Sequence, residues 1–184
     1  MDSSIYFEAI ANDPWSCYLD SGIQDDLDEN VSDKSRYDII VSHPFIKIIA
    51  DESTVSIEEN NLKKITKEDP FNVLEGILAN FDIQETSLPF TGGALGYFSY
   101  ELGQPSIKSN KDHVGMPLMM IGIYDWALIV DHQEKTACIA SHLINKDTKD
   151  YLTTLIKKLK SVRPNNQLFK INSNIKSLLN FEAY

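Results

Sequence analysis

Basic residues are scarce in this chain. Seventeen lysines and arginines stand against 27 aspartates and glutamates, a formal net charge of −10. Phosphate backbones require a basic face, and the adjacent cations, Lys63-Lys64 and Lys157-Lys158, are read as solvated faces, so no nucleic-acid partner is expected. Long apolar runs are also missing. No stretch reaches the roughly 18 residues of a membrane helix, so no membrane partner is expected. The start of the chain, Met-Asp-Ser-Ser-Ile-Tyr-Phe-Glu, has neither a charged n-region nor an apolar h-region. No leader is therefore read, and the expected compartment is the cytoplasm. Of only two cysteines, Cys17 and Cys138, neither belongs to a Cys-x-x-Cys motif, and both are expected as buried free thiols rather than a disulfide. His43, His113, His132 and His142 show no paired spacing, which argues against a zinc site.

Glycine is sparse too, but four of the eight fall within residues 88–103, Leu-Pro-Phe-Thr-Gly-Gly-Ala-Leu-Gly-Tyr-Phe-Ser-Tyr-Glu-Leu-Gly. Pro89 sets an extended entry, and Gly92-Gly93 supply the positive φ that a tight turn or bulge requires. Residues 94–100 fit a strand. A lone Gly96 inside it marks a close approach of another backbone or of a ligand. A phosphate-cradling loop is rejected, because an aromatic strand, not a helix N-terminus, follows the glycines.

The remaining pattern is that of a single domain mixing strands and helices. Asp13-Pro14 reads as a turn, residues 15–19 as a short strand, and the acid-rich residues 23–34 as an exposed loop. Residues 37–41, 45–50 and 54–57 are β-branched runs broken by polar turns, the pattern of an antiparallel meander. His43 lies in one of those turns and is read as a turn residue. Asp69-Pro70 opens a helix with an apolar stripe on Phe71, Leu74, Leu78 and Phe81. Residues 104–115 read as a polar loop. Residues 118–131 read as an apolar run, long for one strand and central in a sheet, and His132 to Lys135 as the hairpin turn into residues 136–144. Asp147 caps a second helix carrying Leu152, Leu155, Ile156 and Leu159, which Arg163-Pro164 ends. The expected fold is α+β, with largely antiparallel, sandwich-like sheets flanked by two main α-helices.

Three landmarks together resemble aminodeoxychorismate synthase component I, within the anthranilate synthase component I-like family of chorismate-utilising enzymes. Residues 89–102 resemble its Pro-Phe-x-Gly-Gly-x-x-Gly-Tyr-x-x-Tyr-Asp-Leu signature, with Glu101 where Asp is usual and Gln104 where Arg is common. Asp13-Pro14-Trp15 with Leu19-Asp20-Ser21-Gly22 resembles its first strand. Ser35-Arg36-Tyr37-Asp38-Ile39 resembles its Ser-Arg-Phe/Tyr-Asp-Ile segment. The sister branch, anthranilate synthase component I, carries Leu-Leu-Glu-Ser and Arg-Tyr-Ser-Phe-Ile-Gly. The second of these is further from the Arg-Tyr-Asp-Ile-Ile-Val found here.

The resemblance implies a division of labour. Residues 1–165 correspond to the family's N-terminal domain, and residues 166–184 to the start of a truncated chorismate-binding domain. In the family, Mg²⁺ and a lysine in a Pro-Ile-Lys-Gly-Thr motif serve chorismate amination from that second domain, and this sequence has no Gly-Thr dipeptide. No catalytic residue, metal ligand or cofactor is therefore expected in this chain, although Mg²⁺ and a glutamine amidotransferase subunit are expected for the full-length enzyme. The resemblance also implies an amino-acid pocket able to hold tryptophan, with Leu19 and Ser21 on one wall and Ser35, Arg36 and Tyr37 on the other. Taken as residues alone, Ser21 reads as a turn residue and Arg36 as a surface ion-pair partner. A free-standing small-molecule or subunit-binding module is the remaining reading.

Overall fold

The computed structural model describes residues 2–22, 36–81, 86–103, 115–163 and 172. The expected loops at residues 23–34 and 104–115 lie, but for Gly115, outside them, as does the expected start of a second domain save for residue 172.

Among the described residues, nine strands form two antiparallel sheets. One holds β1 (Cys17–Leu19), β2 (Tyr37–Val41), β8 (Trp126–Asp131) and β9 (Thr136–Ser141), in that spatial order. The other runs β5 (Leu62–Thr66), β4 (Val55–Glu59), β3 (Ile46–Ala50), β7 (Met119–Tyr124), β6 (Gly93–Phe98). Helix α2 (Pro70–Leu78) packs on the outer face of the five-stranded sheet, where Val73 joins Ile48, Ile121 and Ile123. Helices α1 (Ser4–Ile10) and α3 (Thr148–Ser161) cover the four-stranded sheet, where Ile10, Leu152 and Leu155 meet Ile40, Trp126 and Leu128. Side chains of both sheets, among them Val41, Tyr124, Ala127, Ile129 and Leu95, close the layer between them. The α+β expectation holds: an antiparallel sandwich with helices outside it.

Two expectations fail at the same place, for the same reason. Residues 118–131 form two strands rather than one, because the chain turns at Asp125 and passes from one sheet to the other. Likewise β2 and β3 do not continue one meander: the chain crosses between sheets at Ser42-His43-Pro44. The two corners lie together. The Trp126 indole donates to the Ser42 carbonyl at 3.0 Å, and the Phe45 amide donates to the Ile123 carbonyl at 2.9 Å. His43 takes the turn role expected of it, at φ +53°. Asp125, only 2% exposed, accepts at its carboxylate from the Thr148 hydroxyl and the Asn145 amide, while its carbonyl accepts from the His142 amide and Ser141 hydroxyl. A buried carboxylate is tolerated here because its lone pairs are met.

The caps differ in quality. Asp69 accepts from the amides of Phe71 (2.9 Å) and Asn72 (3.2 Å), with Pro70 at the first helical position, as the sequence indicates. Asp147 makes no such bond; the Asn145 side chain instead accepts from the Asp147 amide at 3.0 Å. Both cysteines are free, but Cys138 is exposed, because β9 is an edge strand with little packed over it. The short α1 and strand β5 leave little mark in the sequence, the first because seven residues carry little periodicity and the second because Leu-Lys-Lys-Ile-Thr is exposed at four of five positions and shows no alternation.

Candidate functional site

Strand pairing assembles the expected pocket residues around one end of β2. Leu19 lies opposite Ile39, and Tyr37 opposite Asp131. Directly opposed residues share a face, so Leu19, Ile39, Tyr37 and Asp131 point toward the second sheet, while Tyr18 and Asp38 point toward α1. Leu19 is 48% exposed and Tyr37 half-buried. Ser35 lies outside the described residues. The strand alternation thus divides the expected pocket: Leu19 and Tyr37 share one face, and Ser21 is held from the other.

What holds Ser21 is Asp38, which is 1% exposed. One carboxylate oxygen accepts from both the amide and the hydroxyl of Ser21, each at 2.8 Å. The other accepts from the Ser3 hydroxyl, from Tyr18 at 3.3 Å and from His132 Nε2 at 2.8 Å. An ionised carboxylate only accepts, so His132 carries its proton on Nε2. Burial pushes the Asp38 carboxyl up, but the bonds from Ser3, Ser21 and His132 outweigh it and hold the group down at about 2.

Arg36 is an ion-pair residue. Its Nε and Nη2 meet the Asp131 carboxylate at 3.0 and 2.7 Å, and its guanidinium lies 4.8 Å from the centre of the Tyr37 ring. Those hydrogen bonds, together with the amides of Glu134 and Gln133, hold the Asp131 carboxyl down at about 2 against its desolvation. The two-pronged geometry fixes the guanidinium in a plane, as a lysine could not. Asp38, Asp131 and His132 were not singled out from sequence. A signal was there for Asp38: an acid at the second position of the apolar strand Tyr-Asp-Ile-Ile-Val must be buried with partners.

The glycine-rich stretch supports this layer from the other sheet. Gly92 and Gly93 sit at φ +144° and +124°, as the sequence requires, and Leu88, Phe90 and Leu95 pack beside Tyr37 and Ile39. A separate cleft of about 500 Å³ opens at the two corners, lined by His43, Lys47, Glu58, Asn60, Trp126 and Tyr151 among others. None of Leu19, Ser21, Arg36 or Tyr37 lines it. Burial keeps the His43 imidazole below its ordinary value and pushes the Tyr151 phenol up to about 12. Among the described residues no group of three or more His, Cys, Asp or Glu could hold a metal ion, and no helix is long and apolar enough to cross a membrane.

Comparison with known proteins bears out the resemblance. The chain is 37% identical over 148 residues to aminodeoxychorismate synthase component 1 of Escherichia coli (strain K12), covering 76% of this chain and 31% of that protein. It is 33% identical over 143 residues to the protein of the same name from Klebsiella aerogenes. Identity to anthranilate synthase alpha subunit 1 of Arabidopsis thaliana is 27% over 160 residues. The crystal structure of anthranilate synthase component I from Streptococcus pneumoniae TIGR4 superposes with a TM-score of 0.58 at 20% identity, over 78% of this chain and 34% of that one. That likeness establishes the shared fold. No family model matches. The chain is thus homologous to part of these synthase components, and spans about a third of the length of the relatives it matches.

Proposed function

We propose that this chain is the N-terminal, non-catalytic part of an aminodeoxychorismate synthase component I-like protein, inactive alone, acting in the cytoplasm in 4-aminobenzoate formation from chorismate. In this reading residues 166–184 begin the chorismate-binding domain. The observation that carries it is the 37% identity to a named component 1 over a segment that is only 31% of that relative. Higher identity to the aminodeoxychorismate than to the anthranilate proteins, 32–37% against 26–29%, favours the first branch. The full-length protein is expected to use Mg²⁺ and to take ammonia from a glutamine amidotransferase. By the resemblance, the groups that serve Mg²⁺ belong to the family's chorismate-binding domain.

The part described here contributes an amino-acid pocket. Leu19 and Tyr37 offer apolar surface to an indole, with Ser21 and Arg36 held at the same end of β2. Leu19 stands half in solvent, so the groove is open and apolar burial is limited. We expect tryptophan to bind in the millimolar range, roughly −4 kcal/mol. Titration of ¹⁵N-labelled chain with L-tryptophan tests this. Saturable shifts at Leu19 and Tyr37 support the pocket; shifts confined to residues of the corner cleft, or none at all, refute it.

A further inference from the structure

We propose that Asp38 is the positioning residue of this amino-acid pocket: it fixes the wall carrying Leu19 and Ser21 against β2. The inference rests on the pocket reading above. Both donors of Ser21, its amide and its hydroxyl, terminate on one Asp38 oxygen at 2.8 Å. Ser21 therefore acts through where it is held, because the donors it would offer a ligand are engaged by its own fold.

The wall needs such an anchor. Strand β1 is only three residues long, and its last, Leu19, pairs with Ile39 and has, among the described residues, no strand on its other side. Beyond it the chain turns through Gly22 at φ +86°. Ladder bonds end before Ser21, and the Asp38 carboxylate joins Ser21 to β2. The second oxygen of that carboxylate gathers Ser3 from the residue before α1, Tyr18 from β1 and His132 from the end of β8. One nearly inaccessible acid thus ties four chain segments together. His132 is bound twice over, since its amide also donates to the Arg36 carbonyl at 2.9 Å. That bond couples the Asp38 cluster to the Arg36 side of the pocket.

An asparagine at position 38 preserves shape but not function. Its NH₂ faces either the Ser21 amide, which can only donate, or Ser3 and His132, which must then reverse the hydroxyl and the tautomer that they present to the carboxylate. The experiment is the tryptophan titration above, on the whole 184-residue chain, with Asp38→Asn, Ser21→Ala and the double variant. Asp38→Asn should weaken binding at least tenfold while the variant remains folded by circular dichroism. Ser21→Ala should add nothing in the Asp38→Asn background, since both act through one contact. Asp125→Asn, altering an equally buried acid in the other network, should lower stability and leave affinity unchanged; that separates positioning from general loosening.

Parent-like affinity in Asp38→Asn, or effects at 38 and 21 that simply add, would overturn the inference while leaving the pocket standing. Absence of saturable shifts in the parent chain overturns both. If Asp38→Asn does not fold, Ser3→Ala and His132→Gln each remove one bond from the second oxygen. Affinity two- to fivefold weaker is then expected, and unchanged affinity in both overturns the inference.

Discussion

Gly96 lies against Met120 so closely that a Cβ at the glycine would stand 2.0 Å from the Met120 carbonyl oxygen, and 2.9 Å from the Cα of Ile121. These atoms are backbone of the neighbouring strand β7 and cannot swing aside. Any side chain at position 96 must part β6 from β7. Gly96→Val is expected to destabilise the fold by about 1–3 kcal/mol or more through overpacking. Gly103→Ala, with nothing within 4 Å of the added carbon, should cost far less. Urea midpoints of the two variants decide it; equal midpoints would show that the β6–β7 contact yields freely.

Asp38 makes stability depend on acid. Its native carboxyl, at about 2, lies below the ordinary value of 3.8, so the native state binds the proton less readily than the unfolded chain. The resulting stability is present above about pH 4 and is lost as pH falls through 4 toward 2. The expected loss is roughly 2 kcal/mol from this group. Asp131 acts in the same direction through Arg36. Denaturation curves between pH 2 and 7 should be flatter for Asp38→Asn than for the parent; parallel curves would contradict the assignment.

The acids near the start of α3 should behave in opposite ways. Asp125→Ala strands the Thr148 hydroxyl and the Asn145 amide, at about 1–3 kcal/mol for each buried donor left unmet. Asp147→Ala removes a side chain that caps nothing and should change stability by less than about 0.5 kcal/mol. Hydrogen exchange in α3 should accelerate only in the first variant. Accelerated exchange in the second would mean that Asp147 caps the helix in solution.

The purified chain is expected to form no aminodeoxychorismate from chorismate, ammonia and Mg²⁺. Aminodeoxychorismate accumulating above a no-protein control would place catalytic groups within these residues. Association with a glutamine amidotransferase is expected to be weak, on the expectation that part of a component carries only part of the docking surface, while specific interfaces usually bury about 1,200 Å² or more. A complex surviving size-exclusion chromatography would show that this part holds most of the docking surface.

The candidate site was legible in unequal parts. Ser21 and Arg36 enter through the resemblance alone, since by themselves they read as a turn residue and an ion-pair partner, and both reach the end of β2. Their bonding partners did not stand out. His132 is 94 residues from Asp38, and Asp131 is 95 from Arg36. A hydrogen bond across that separation leaves no mark on local periodicity. Asp38 was readable as an anomaly, an acid inside an apolar strand, but nothing along the chain tells which donors come to it.

Local chemistry settled what local chemistry can. Asp69-Pro70 starts a helix wherever the helix packs, because the cap satisfies amides of its own first turn. Gly92 and Gly93 turn the chain because their φ values are closed to other residues, and Gly96 announces a close neighbour without naming it. The two corners belong to tertiary structure. Strands β7 and β8 are buried almost throughout, so their sequence is apolar at nearly every position and shows no alternation to reveal where one sheet ends. Asp125 divides them only because Thr148, Asn145, Ser141 and His142 come from elsewhere to meet its polar groups. Without those partners the same acid in an apolar run would be a cost with no compensation, and no reading of neighbours along the chain supplies them.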